Sequence, residues 1–233
     1  MAAEEHRRDF HEQLDALVTD VIRLSALSTE AISTGTQALL DSDLAAVERI
    51  FERDAAIDEL THAIEERCYL LLARQQPMAS DLRKIVSILR DIHELERIGD
   101  LMKNIAKGTR RIYPRELDPK IRGLIERMGA QAADQLRTAT DAFADADPAK
   151  GAALDDMDDQ MDEYQKELFR VIFSAGAEDE EQLHQAIQVA LIGRYYERIA
   201  DHAVNIAERV LFMVTGAIPG ADLDAELGAS ETV

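Results

Sequence analysis

Carboxylates four residues apart recur along this chain in an arrangement that could hold a cation, a proton or an arginine. Glu96 and Asp100 stand at that spacing, as do Glu197 and Asp201. Each pair lies in one copy of a nearly repeated string, ERIGDLMKNIAK from position 96 and ERIADHAVNIAE from position 197, 101 positions later. On a helix, residues i and i+4 share a face, so each string sets two carboxylates side by side. Asp54 with Asp58, and Asp158 with Asp162, repeat the spacing.

These pairs fall where a helical stripe calls for apolar side chains. One stripe reads Val47, Ile50, Asp54, Ile57, Asp58, Thr61, Ile64, Cys68, and the next reads Leu82, Ile85, Leu89, Ile92, His93, Glu96, Gly99, Asp100. Leu154, Met157, Asp158, Met161, Asp162 and Leu168 form a third; Leu183, Ile187, Ala190, Arg194, Glu197, Ala200 and Asp201 form a fourth. Each half of the chain therefore converges four carboxylates from two neighbouring antiparallel helices. Such a group must take up protons, pair with arginine or bind cations. Arg97 and Arg198, each beside its glutamate, are the arginine alternative. An all-oxygen donor set suits Mg²⁺, Mn²⁺, Ca²⁺ or iron. Asp155 with Asp159 has the same spacing without repeat support and reads as solvated surface.

The histidines raise a second chemistry. Di-iron bundles use Glu-x-x-His, a form shared by Glu59–His62 and Glu181–His184, but the repeat maps these to Glu163 and Lys166 and to Ser80 and Arg83. His93, three residues before Glu96, is a better additional ligand, whereas His202 points about 100° away from Asp201. Cys68 reads as a small core residue. The sequence has no glycine-rich phosphate loop, nucleophile setting or dinucleotide fingerprint.

The elements that must position these groups are helices. Ala, Leu, Ile, Glu, Asp and Arg dominate, Trp is absent, and Gly and Pro number 11 and 5. Breakers divide the chain into six helices: about 4–40, 44–74 with Asp43 as N-cap, 80–111 with Ser80 as N-cap, 120–145, 148–173 behind Asp147–Pro148, and 180–215 closed by Gly216. The fold class is all-α, two tandem and similar three-helix bundles. The expected domains are 1–113 and 114–216, parted at the proline-bearing stretch YPRELDP, with 217–233 a loose acidic tail. The repeat offset is 104 on the second helix of each half and 101 on the third; a shorter loop, SAGAED, absorbs the difference.

Charge and cysteine content narrow the role. A net charge of −20 repels phosphate backbones and anionic lipid, so no nucleic acid and no direct membrane insertion are expected. A single cysteine forms no internal disulfide. The charged first residues do not resemble a signal peptide, and a cytoplasmic location follows as an expectation.

The stretches RQQPMASDLRKIVSILRDIHELERIGD and RYYERIADHAVNIAERVLFMVTG resemble the PhoU family, across essentially the whole chain. The resemblance implies two three-helix bundles side by side, assembled as a homodimer, in a non-enzymatic cytoplasmic regulator of phosphate uptake. Its implied partners are the ATPase subunit of a phosphate ABC transporter and a membrane sensor histidine kinase, which it would hold in the state that represses the phosphate-starvation response. It also implies metal ions (Mg, Mn, Fe or Zn) at Asp54, Asp58, Glu96, Asp100, Asp158, Asp162, Glu197 and Asp201. Ala200 where the first copy has Gly99 is expected to be without functional consequence. The alternative reading is a carboxylate-bridged di-metal bundle, a ferritin-like oxidase or metal store.

Overall fold

The computed structural model describes residues 2–75 and 77–217. Helix ends follow local side-chain chemistry. α1 (Ala2–Leu40) gives way to α2 (Leu44–Gln75) across a turn in which Asp43 Oδ1 accepts from Ala46 N at 3.0 Å. α3 (Ser80–Ile112) begins differently from expectation. Ala79, not Ser80, occupies the cap position, with φ of 49° and no side-chain hydrogen bond, so Ser80 is already helical.

The second half opens with α4 (Pro119–Asp145), capped by Asp118, whose side chain accepts from Lys120 N at 2.8 Å. Asp147 and Pro148 start a single helical turn, α5 (Pro148–Gly151), and α6 (Ala153–Ala175) follows, so the expected fifth helix is split near its start. The break is slight, since Ala152 between α5 and α6 keeps helical angles of −61° and −23°, and the turn packs closely on the last helix: a Cβ at Gly151 would lie 3.1 Å from the Ala207 carbonyl oxygen. α7 (Glu180–Thr215) is capped by Asp179 and ends at Gly216, whose φ of 84° is in the left-handed region and whose N–H donates to Phe212 O at 2.8 Å. The expected acidic tail lies outside the described residues from 218 on.

α1, α2 and α3 pack on one another, as do α4, α6 and α7. The halves meet through α1 against α4 and, more broadly, α3 against α7, while α2 and α6 lie on the two outer sides. Their buried side chains form one continuous apolar core rather than two. Close approach at the seam depends on Gly129 of α4, where a Cβ would stand 2.4 Å from Thr36 Oγ1. Thr36 Oγ1 and the fully buried Tyr196 hydroxyl are 2.8 Å apart, tying α1 to α7. Arg83 near the start of α3 donates to the carbonyls of Met213 and Val214, which closes the opposite end of the same seam. Among the described residues no helix is long and apolar enough to cross a membrane.

Candidate functional site

The first acidic cluster already contains a cation, and it belongs to the chain. Asp54, on α2, is buried against Gly99 of α3, where a Cβ would come within 3.1 Å of Asp54 Oδ1. Lys103, one turn further along α3, places Nζ 2.5 Å from Asp54 Oδ2 and 2.8 Å from Asp100 Oδ1. Arg97 adds a contact to Asp100 Oδ2 at 3.2 Å. Burial pushes the Asp54 carboxyl up, the charges of Asp58 and Asp100 push the same way, and the Lys103 hydrogen bond opposes them. Burial alone would depress the Lys103 ammonium; the hydrogen bonds to Asp100 and Asp54 outweigh it and hold the group above the ordinary lysine value. Glu96 is engaged elsewhere, with its Oε2 3.4 Å from His93 Nδ1, and His93 also reaches Glu65 at 3.7 Å. Gly99 thus has a packing reason that Ala200 does not share.

The second cluster lacks that ammonium. At the repeat offset Lys103 corresponds to Val204. Asp158 and Asp162 on α6 are half-buried, Asp201 on α7 is exposed, and Glu197 retains 8% exposure. Arg194 pairs with Glu197 Oε1, but Glu197 Oε2 is buried without a hydrogen bond. Burial, followed by the charge of Asp201, pushes Asp158 up, and the nearby Gln135 amide damps the rise. Burial and the charges of Asp201 and Asp162 likewise outweigh Arg194 and raise Glu197. Gln135 of α4 is fully buried, and neither of its polar atoms makes a hydrogen bond of good geometry; Gln165 Nε2 is similarly unpartnered.

These two environments decide how well a metal would fit. The first cluster does not fit one, because Lys103 occupies the position where a cation would neutralise Asp54 and Asp100. The second fits by chemistry, with Asp158, Glu197 and Asp201 each raised chiefly by burial and an orphaned oxygen on Glu197. Among the described residues no three His, Cys, Asp or Glu side chains stand close enough to enclose an ion, so side-chain rotation would have to complete a site.

The arginine alternative holds with different pairings. Arg97 pairs with Asp100 rather than Glu96, and Arg194, not Arg198, pairs with Glu197. Helical geometry gives the reason: neighbours in sequence point about 100° apart, while i and i+3 face one another. Glu59 and His62 are exposed, with His62 Nδ1 2.8 Å from the Asp58 carbonyl oxygen. Glu181 pairs with Arg115, and His184 is exposed. Neither Glu-x-x-His element joins a cluster.

A third set of charged groups, absent from the sequence-based candidates, lies in the α3–α7 seam. Arg209 of α7 pairs with the buried Asp91 and lies 2.9 Å from Glu94 Oε1. Glu94 Oε2 also accepts from His202 Nδ1 at 2.7 Å. Burial raises the Asp91 carboxyl to about 7 against the attraction of Arg209. Glu94 is also penalised by burial, but the hydrogen bonds from His202 and Arg209 prevail and hold it down at about 2. No sequence signal marks the set, because ILRDIHEL around Asp91 alternates apolar and charged residues as an ordinary amphipathic helix does.

The duplicated helical trio recurs in known proteins. The PhoU domain matches residues 21–109 and again residues 125–210. The chain belongs to the PhoU family. A Mycobacterium tuberculosis relative, phosphate-specific transport system accessory protein PhoU homolog 2, is 37% identical over 217 residues, covering 91% of this chain and all of the relative. The crystal structure of PhoU from Pseudomonas aeruginosa superposes with a TM-score of 0.84 at 30% identity, over 89% of this chain and 100% of that one. The phosphate transport system regulatory protein PhoU from Streptococcus pneumoniae gives 0.81 at 32% identity, over 89% and 98%. The PhoU fold of two helical repeats is thus shared along nearly the whole described chain.

Proposed function

We propose that this PhoU-family chain is a non-enzymatic regulator of phosphate uptake, acting in the cytoplasm as a homodimer. On this reading it couples the ATPase subunit of a phosphate-specific ABC transporter to a membrane sensor histidine kinase and represses the phosphate-starvation response while phosphate is plentiful. The observation that carries the proposal is the end-to-end match to a relative named as a phosphate-specific transport accessory protein. Physical chemistry is compatible: a chain of net charge −20 is attracted to basic patches on cytoplasmic domains of membrane proteins.

Within this reading we assign divalent-cation binding to the second cluster alone: Asp158, Asp162, Glu197 and Asp201. An ion there would link α6 to α7 and fix the surface that those helices present. In the first half Asp54 and Asp100 would serve the same linkage through Lys103. No observation favours the oxidase alternative.

The test is a replete-medium reporter of a starvation gene in cells whose only copy carries Glu96→Gln with Glu197→Gln, alongside affinity capture of the transporter and kinase by the unaltered chain. Derepression at normal protein level, with capture of both partners by the parent, is the expected result. Full repression by the double variant would remove the acidic clusters from signalling, and failure to capture either partner would remove the coupling role.

A further inference from the structure

One cleft in this acidic protein has the opposite charge. It lies where α2, α3 and α7 meet, encloses about 370 Å³, and draws on both repeated strings. α3 contributes Arg97, Lys103, Asn104 and Lys107, and α7 contributes Arg198. The lining has one carboxylate, Asp100. That carboxylate is paired with Arg97 at 3.2 Å and shares Lys103, at 2.8 Å, with Asp54, so it does little to repel an anion.

Two of the cations form no close ion pair, although the Arg198 charge still acts on Asp201. Among the described residues neither Lys107 nor Arg198 has a carboxylate within 4.0 Å. Lys107 makes only a long contact, 3.4 Å, to Asn104 Oδ1. Carboxylates outnumber cations 46 to 26 in this chain, yet here two cations without an ion pair, from separate helices, line one cleft. His202 also lines the cleft, with its Nδ1 taken by Glu94.

We propose that this cleft binds a phosphoryl dianion, either free orthophosphate or the phosphate of a small metabolite, with Lys107 and Arg198 as its principal charge partners. A guanidinium presents a planar fork suited to two phosphate oxygens, and an ammonium adds a point charge from the other side. Free N–H groups of Arg97 and the Asn104 amide supply further donors. A compact anion is favoured over a polymer because a nucleic acid strand would run out of the cleft onto a surface of net negative charge. The proposal concerns the isolated chain and stands apart from the choice of protein partners.

The test is isothermal titration of the purified full chain at low ionic strength with orthophosphate in one arm and ADP in the other. Lys107→Ala with Arg198→Ala is compared with Arg23→Ala and Arg90→Ala, an exposed control pair that removes the same charge outside the cleft. Saturable binding of at least one anion by the parent is expected. The cleft pair should weaken it at least about tenfold, the control pair should leave it within about twofold, and Lys107→Gln with Arg198→Gln should match the alanine pair. Preference between the two arms identifies the source of the phosphoryl group. Absence of binding at millimolar anion, an unweakened cleft variant, or equal weakening by the control pair would each overturn the proposal.

Discussion

Lys103→Met is the sharpest probe of the difference between the two repeats. It removes the ammonium while retaining much of the apolar stem, so packing changes little. Losing one partner of a fully buried pair costs about 3–5 kcal/mol, against about 1 or less for an exposed pair. Asp54, Lys103 and Asp100 side chains are 10%, 23% and 36% exposed. The case lies between those limits, at about 2–3 kcal/mol. For a chain of this size that corresponds to a fall in Tm of about 5–10 °C.

The pH dependence has a definite sign. Without Lys103 nothing opposes the burial and like charges that already raise Asp54. A carboxyl whose folded pKa is raised contributes stability that is complete below its unfolded value and is lost as pH rises through the folded one. The variant's deficit should therefore be smaller at pH 5 than at pH 8. Divalent cation should also recover it, since a hundredfold excess over Kd is worth about 2.7 kcal/mol. Calorimetry in an Asp158→Asn, Asp201→Asn background isolates the first cluster. Equal melting of Lys103→Met and its parent in chelator, at both pH values, would falsify the view that Lys103 is the internal counterion.

Four further outcomes follow from the same contacts. In the otherwise unaltered chain, Asp158→Asn with Asp201→Asn should abolish the rise of Tm with Mn²⁺, while Asp54→Asn with Asp100→Asn should preserve it, as read by thermal denaturation. Arg209→Ala strands the buried Asp91 and should cost about 3–5 kcal/mol in urea unfolding, whereas Arg209→Met with Asp91→Leu should cost much less. Because Asp91 is raised to about 7, its stability contribution is complete below 3.8 and lost as pH rises through 7; Asp91→Asn should flatten that part of the stability profile between pH 5 and 8. Gly129→Ala drives a methyl into Thr36 and should destabilise by about 1–3 kcal/mol in the same assay.

The sequence was most readable where structure is local. Asp43, Asp147 with Pro148, and Gly216 end or begin helices through bonds to residues within five positions, so their chemistry is visible in a short window. The α2 stripe was also legible except at Asp58, which is half-buried, since Val47, Ile50, Asp54, Ile57, Thr61, Ile64 and Cys68 are all buried. α3 and α7 were misread because each packs within its own bundle and also across the seam. Leu82, His93, Leu183 and Ile187 are exposed, while Asp91, Leu95, Val189 and Tyr196 are buried. A single-stripe reading fails for a helix covered on more than one side. The imbalance of the clusters was available in the comparison of Lys103 with Val204, which needed the repeat to be aligned for its differences as well as its identities. The pairing of Arg209 with Asp91 was not available, since 118 residues separate them and no local spacing rule links them.

That separation bears on how the protein is made. Asp91 enters the nascent chain well before Arg209, and at about 5–20 residues per second the ribosome takes about 6–24 s to add the intervening 118. During that interval the first repeat has α3 without the helix that covers it and a carboxylate without its guanidinium. The α3 wall is built to be buried, as Ile85, Ile88, Ile92 and Ile105 are in the finished protein. Synthesis thus leaves a half-built protein with a sticky, acid-bearing flank, and the water that keeps Asp91 solvated must leave when α7 docks. Slowing elongation within the second repeat lengthens that exposure, so the choice of codons there falls on the yield of folded protein although it leaves the amino-acid sequence untouched.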